Sequence, residues 1–195
     1  MPMMTGGRFM AETLHGYGVT HVFFVPVIIQ RAMLEMEKLG IKRILTHGEK
    51  AAAYMADGYA RASHKPGVCA AQNVGAANLA AGLQDPFLAG SPVLAITGRK
   101  PRLSQHRNSY QEVDHLRPFS AVTKYSVPVD SAEQLPFLLR QALREATSGA
   151  PGPVHLDLEG TSGNIVMEGE ADLEVIIEEN FTHVPAYRPE PEAEM

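Results

Sequence analysis

With a single cysteine, Cys69, the chain cannot close an internal disulfide or build a multi-cysteine metal site. No cationic segment leads into an apolar run, so nothing marks a secretory signal, and the cytoplasm is the expected location. Long hydrophobic runs are missing as well. The longest, Val22 to Ile29, is far too short to span a bilayer and is interrupted by Pro26, so no membrane role is expected. A basic surplus is also lacking. The net charge is -5, and residues 160–195 hold nine of the 22 acidic side chains but only Arg188 of the 17 basic ones. That leaves +3 on the first 159 residues and -8 beyond them, no footprint for phosphate backbones, and nucleic acid is not an expected partner.

Several sequence signatures of chemistry are absent too. There is no GxGxxG, no P-loop GxxxxGK followed by Ser or Thr, and no GxSxG elbow. The eight histidines do not fall at metal-ligand spacing; His15, His21 and His155 sit in or beside core segments and read as packing residues, so no metal site is expected from this chain.

What remains is a chain of 195 residues, 45% hydrophobic and 20% charged, enough to bury a sizeable core in one α/β domain. Short β-branched runs alternate with longer helical patterns: His21 to Pro26, Lys42 to His47, Gly67 to Gln72, Pro92 to Thr97 and Pro153 to Leu158 read as strands, and Lys124 to Val129 as a weaker sixth. Helices are predicted at Gly7 to Tyr17, Gln30 to Leu39, Glu49 to Ser63, Ala76 to Ala89 and Ser131 to Thr147, the last capped by Asp130 or Ser131 and stopped at Gly149 and Pro151. The pattern implies a doubly wound, mainly parallel sheet with helices on both faces. Gly98 to Phe119 reads as a long loop. Beyond Leu158 periodic apolar support fades, apart from Leu173 to Ile177, which divides the chain into a domain at 1–159 and an acidic tail or linker at 160–195.

In a parallel sheet of this kind ligands bind beyond the carboxyl ends of the strands. Those places are Val25-Pro26-Val27, His47-Gly48-Glu49, Gln72 to Asn78, and Gly98 onward. Glu49 opens a helix whose Ala51, Ala52, Ala53 and Ala56 let it lie close to the sheet, so its carboxylate suits acid/base work; equally, it complements the helix dipole in the first turn. The small-residue turn at Asn73 to Asn78 lets backbone approach a flat ligand, or is simply a tight strand-to-helix turn. Both pairs of readings stay open on spacing alone.

Val22 to Pro26, Thr46 to Ala62 with Gly-Tyr-Ala-Arg at 58–61, Lys65 to Cys69, Gly75 to Leu79, Ser91 to Gly98, Tyr110-Gln111-Glu112, Thr123-Lys124 and Pro151 to Asp157 follow one another in an order and spacing that is similar to one family. Over about residues 5–158 the chain resembles the N-terminal pyrimidine-binding domain of thiamine diphosphate enzymes, the acetolactate synthase and 2-oxoacid decarboxylase family. The resemblance implies that Glu49, nine residues before Gly58, bonds N1' of the cofactor's aminopyrimidine and favours the imino tautomer that takes the thiazolium C2 proton. It places Pro26, Gln72, Gly75 and Asn78 against the cofactor, and His47 and Gln111 toward the substrate or the site entrance.

Three departures bear on the substrate. Gly48 stands where the family usually has His before the glutamate, Phe24 and Val27 replace the glycines of Phe-Gly-Val-Pro-Gly, and Gln72-Asn73-Val74-Gly75 replaces Ser/Thr-Gly-Pro-Gly. The family's Gly-Asp-Gly motif, which holds Mg²⁺ and the diphosphate on another domain, is not in the sequence. The resemblance therefore implies a partner domain or subunit that binds the diphosphate, a truncated or split enzyme inactive as this chain alone, a homo-oligomer, and a small 2-oxoacid substrate. Closest in kind is an acetolactate synthase that decarboxylates and ligates pyruvate. A split sulfopyruvate or phosphonopyruvate decarboxylase and a non-catalytic regulatory paralogue are the alternatives, and FAD binding is left open.

Overall fold

Every run read as a strand forms one in the computed structural model, which describes residues 3–185. In chain order the elements are β1 (Met3–Thr5), α1 (Gly6–Gly16), β2 (His21–Phe24), α2 (Gln30–Lys38), β3 (Lys42–Leu45), α3 (Glu49–Ser63), β4 (Gly67–Ala71) and α4 (Gly75–Ala81). They continue with α5 (Gln84–Ala89), β5 (Val93–Arg99), α6 (Leu116–Ser120), β6 (Tyr125–Val129), α7 (Leu135–Thr147), β7 (Val154–Glu159), α8 (Asn164–Glu168) and β8 (Glu170–Asp172). Six strands make a wholly parallel sheet in the order β3-β2-β4-β5-β7-β6.

The period of two along the strands sorts the core into two layers. Val22, Val68, Ala70, Leu94, Ile96, Leu156 and Leu158 point to a layer filled from α1, α2, α7 and α8 by Met10, Leu14, Met36, Leu139 and Met167. Phe23, Cys69, Ala71, Val93 and Ala95 point the other way, against Ala52, Ala53 and Ala56 of α3 and Ala76 and Leu79 of α4. Alanines fill this second layer because α3 lies close: a Cβ on Gly67 would fall 2.1 Å from the Ala56 carbonyl oxygen. Close approach carries the start of α3 to the carboxyl edge of the sheet.

Four features differ from expectation. The helix expected over Ala76 to Ala89 is two helices, α4 and α5, because Pro86 inside a continuous helix would clash with the carbonyl of Gly82, and the break falls at Gly82-Leu83. Asp130 does not cap the last long helix; its carboxylate takes Arg99 and Arg102, and a 3₁₀ turn at Ala132–Gln134 leads into α7. His15 is exposed in the last turn of α1 rather than packed. His21 is half-buried against Tyr59, and His155 is fully buried.

The fourth concerns residues 160–185, expected to hang as a tail. Here α8 and β8 pack on the domain, burying Val166, Met167, Ala171 and Leu173. β8 pairs antiparallel with β1, Arg144 holds Glu178, and its guanidinium lies 5.4 Å from the Phe181 ring centroid. Apolar burial too sparse to show periodicity is enough to dock a short segment. The linker-like end, Ala186 to Met195, lies outside the described residues. Among those described, no helix is long and apolar enough to cross a membrane.

Candidate functional site

The turn after β3 sets the start of α3. Thr46 is buried and its hydroxyl donates to the carbonyls of Phe24 (3.2 Å) and Gly48 (3.0 Å), tying the turn to the end of β2. Gly48 is extended (φ -176°) and caps without a side chain, and a Cβ there would meet nothing within 4 Å. Glu49 follows as the first helical residue, half-buried, with its carboxylate in the positive field of the helix start.

Across from it, the turn after β4 runs through Gln72-Asn73-Val74 into α4. The Asn78 amide donates to Glu49 Oε2 at 3.2 Å. Gly75 makes room for the same carboxylate, since a Cβ at that position would lie 2.5 Å from Glu49 Oε1. One oxygen of Glu49 is therefore anchored, and the other is left against a bare Cα. Asn73 is fully buried and neither atom of its side-chain amide has a hydrogen-bond partner.

A second contact lies beside the first. Gln72 Nε2 donates to Gln111 Oε1 at 2.9 Å, and Gln111 holds a left-handed backbone (φ 62°) in the segment between β5 and α6. That segment is fixed by Glu112, which accepts from the backbone N–H groups of His106 and Ser109; these bonds hold its carboxyl below the usual range.

The structure thus joins Glu49, Gly75 and Asn78 in one contact and Gln72 with Gln111 in another. Pro26 and His47 follow neighbouring strand ends and are exposed; among the described residues no hydrogen bond ties either side chain to these groups. After Pro26 the chain turns through Val27 at φ 68° and Ile29 at φ 40°, a left-handed geometry that glycine adopts without strain. Exposed Val27, Leu45 and Val74 put apolar surface at the same edge of the sheet.

A buried polar network spans β5, β6 and β7, and of its members the sequence marks only His155 as a side chain in its own right, as a packing residue. Ser126 Oγ lies 2.8 Å from His155 Nδ1, His155 Nε2 lies 2.7 Å from Thr97 Oγ1, and Thr97 donates to Asp157 Oδ1 at 2.7 Å. With the Thr97 proton on Asp157, the shared pattern assigns the His155 proton to Nε2 and leaves Nδ1 to accept from Ser126. His115 Nδ1 donates to the same Asp157 oxygen at 2.8 Å. Polar residues in otherwise apolar strands, Asp157 above all, were the available sign.

Burial keeps His155 neutral, its ring pushed down to about 3 and stacked 3.6 Å from Phe119. Burial alone would raise Asp157, but the His115 hydrogen bond, the two imidazoles and Thr97 outweigh it and hold the carboxyl low. The signs agree. An imidazole that titrates near 6.5 in the unfolded chain takes a proton the fold refuses until about pH 3, so stability falls as pH drops between those values. Asp157 adds stability that is present above its unfolded value and is lost as pH falls through its lower folded one. Melting temperatures from about pH 7.5 down to about pH 4.5 should therefore decline, and the decline should be shallower in His155→Gln; equal slopes would refute the assignment.

A family model described as the thiamine pyrophosphate enzyme, N-terminal TPP binding domain, matches residues 4–117. The chain is similar to the probable acetolactate synthase large subunit of Methanocaldococcus jannaschii, 36% identical over 191 residues, which cover 95% of this chain and 31% of that protein. It is also similar to the acetolactate synthase isozyme 2 large subunit of Escherichia coli, 40% identical over 157 residues, 80% of this chain and 29% of that protein. The acetolactate synthase of Arthrospira platensis is 38% identical over 167 residues, 83% of this chain and 29% of that protein. The chain spans less than a third of the length of each of these relatives.

Proposed function

The chain belongs to the thiamine pyrophosphate enzymes, whose N-terminal TPP binding domain it carries, and from this premise we propose that it holds the aminopyrimidine in an enzyme that decarboxylates and ligates 2-oxoacids as acetolactate synthases do. The observation that carries this reading is the Glu49 carboxylate, with Oε2 anchored by Asn78 and Oε1 open beside Gly75 at the carboxyl edge of the sheet.

The residues fit the pyrimidine end of thiamine diphosphate. A flat heteroaromatic ring needs a carboxyl partner for a ring nitrogen, a backbone without a Cβ beside it, and apolar surface for its faces. Glu49, Gly75 and the exposed Val27 and Val74 are of those kinds. The bound cofactor supplies the nucleophilic carbon that adds to the keto group and accepts the electrons released with CO₂.

The chain's own part is binding, orientation and one proton. Glu49 Oε1 would share a proton with the ring nitrogen, while Asn78 keeps the carboxylate from rotating and the helix start favours its charge. Gln72 and Gln111 hold each other at the rim, where an amide suits the carboxylate or carbonyl of a 2-oxoacid. Mg²⁺ and the diphosphate belong, on this reading, to a separate domain or subunit in a cytoplasmic homo-oligomer. The isolated chain is then inactive.

The test is pyruvate turnover with the chain joined to its diphosphate-binding domain, compared with the chain alone. The joined protein should release CO₂ and form acetolactate only with thiamine diphosphate and Mg²⁺, and the flavin content of the same preparation settles FAD. Release of CO₂ with an aldehyde and no acetolactate would replace this reading by that of a split decarboxylase. No turnover of any 2-oxoacid would leave the regulatory paralogue.

A further inference from the structure

Behind the segment that joins β5 to α6 lies a cavity of about 570 Å³ whose lining includes Arg99, Lys100, His115, Asp130 and Asp157. Arg99 and His115 are 7% and 2% exposed, and each has an unpartnered buried nitrogen: Nε of Arg99 and Nε2 of His115. We propose that this cavity binds a small oxyanion, a carboxylate or a phosphate.

The argument is an imbalance of donors over acceptors. Carboxylates are plentiful here, and most of their oxygens are occupied. Asp130 takes Arg99 and Arg102, Glu159 takes Arg99 and the Arg102 backbone N–H, and Asp157 takes Thr97 and His115, both at Oδ1. Glu112 is held by backbone N–H groups and Asp114 by Arg117. The donors are not used up. Arg99 Nε lies 4.0 Å from Asp157 Oδ2, too far for a hydrogen bond, and the Lys100 ammonium has no ion pair or hydrogen bond among the described residues.

A buried guanidinium N–H without an acceptor is costly, so a group that brings acceptors is the missing complement. An oxyanion supplies oxygens to Arg99 and Lys100. The third free atom, His115 Nε2, then suits the remaining proton of a hydroxy acid or a monohydrogen phosphate. His115 Nδ1 is committed to Asp157, so Nε2 is the nitrogen left for a ligand. Neither Glu49 nor Asn78 takes part, and the inference stands apart from the thiamine site.

The 195-residue chain can be titrated with lactate and, separately, with inorganic phosphate at constant ionic strength made up with chloride, following the His115 ring resonances by NMR. Their assignment comes from their loss in His115→Asn. At least one anion should shift them saturably, and the one effective at lower concentration identifies the source as carboxylate or phosphate. Lys100→Gln, at a partly exposed position, should keep the fold and weaken the anion about tenfold, the scale of one charge-assisted hydrogen bond. Arg99→Lys, checked for folding by circular dichroism, should weaken it as well. No saturable shift with either anion, an equal shift with chloride, or unchanged affinity in Lys100→Gln would each overturn the proposal.

Discussion

Glu49→Gln in the assembled enzyme should slow exchange of the cofactor C2 proton for deuterium by about 10²-fold or more, the scale of losing a positioned acid/base group, while its melting temperature stays close to that of the parent. The amide keeps the size of the side chain and still accepts from Asn78 through its oxygen, so the contact across the two turns survives. What disappears is the group that can share a proton at Oε1. Stability changes little because Glu49 is only half-buried and makes no ion pair among the described residues. Quenched-flow NMR of the exchange, with thermal melts of both proteins, is the measurement. Equal exchange rates would reduce Glu49 to a carboxylate that complements its helix, the other reading its position allows.

Gly75→Ala should produce nearly the same loss without touching any titratable group. The new Cβ would sit 2.5 Å from Glu49 Oε1 and 2.9 Å from its Cδ and Cγ, distances no packed atoms sustain. The obstacle is the far end of a flexible side chain, so the fold yields cheaply. The carboxylate swings away, and alanine's better helix propensity, worth up to about 1 kcal/mol, offsets part of the cost. Activity should therefore fall much further than stability. The double variant Glu49→Gln/Gly75→Ala should be little slower than either single one, because both remove the same interaction. Wild-type exchange in Gly75→Ala would mean that Oε1 is not the oxygen that matters.

The parts of the fold that were legible are those with a strong period. Gly67 to Ala71 and Val93 to Arg99 are buried along their whole length, and continuous apolar runs between turn residues announce such strands. The break between α4 and α5 was written in Pro86, but small residues on either side masked it. The candidate site was only half legible. Glu49 and Asn78 are 29 residues apart, and nothing local says that one amide meets one carboxylate; β2 lies between β3 and β4, and it is the packing of α3 against α4 that brings the two side chains together. The replacement of glycine by Val27 was visible, yet its outcome was not. The backbone at Val27 is left-handed at φ 68°, a conformation that costs an L residue about 1–2 kcal/mol. Nothing local marks His115 in its mixed-charge loop, because its importance comes from Asp157 on a strand 42 positions away.

The ribbon of β1 and β8 has a bearing on how the chain folds. Its register pairs Met3 with Asp172 and Thr5 with Glu170, so it closes a loop that spans nearly the whole domain for a gain of three residue pairs. Closing so long a loop is entropically expensive, and contacts of such high sequence separation contribute little until the sheet between them exists. The ribbon therefore belongs to the last events of folding. In native-state hydrogen exchange its amides should open at lower free energy than those of β4 and β5, and should do so together with α8, leaving the parallel sheet intact.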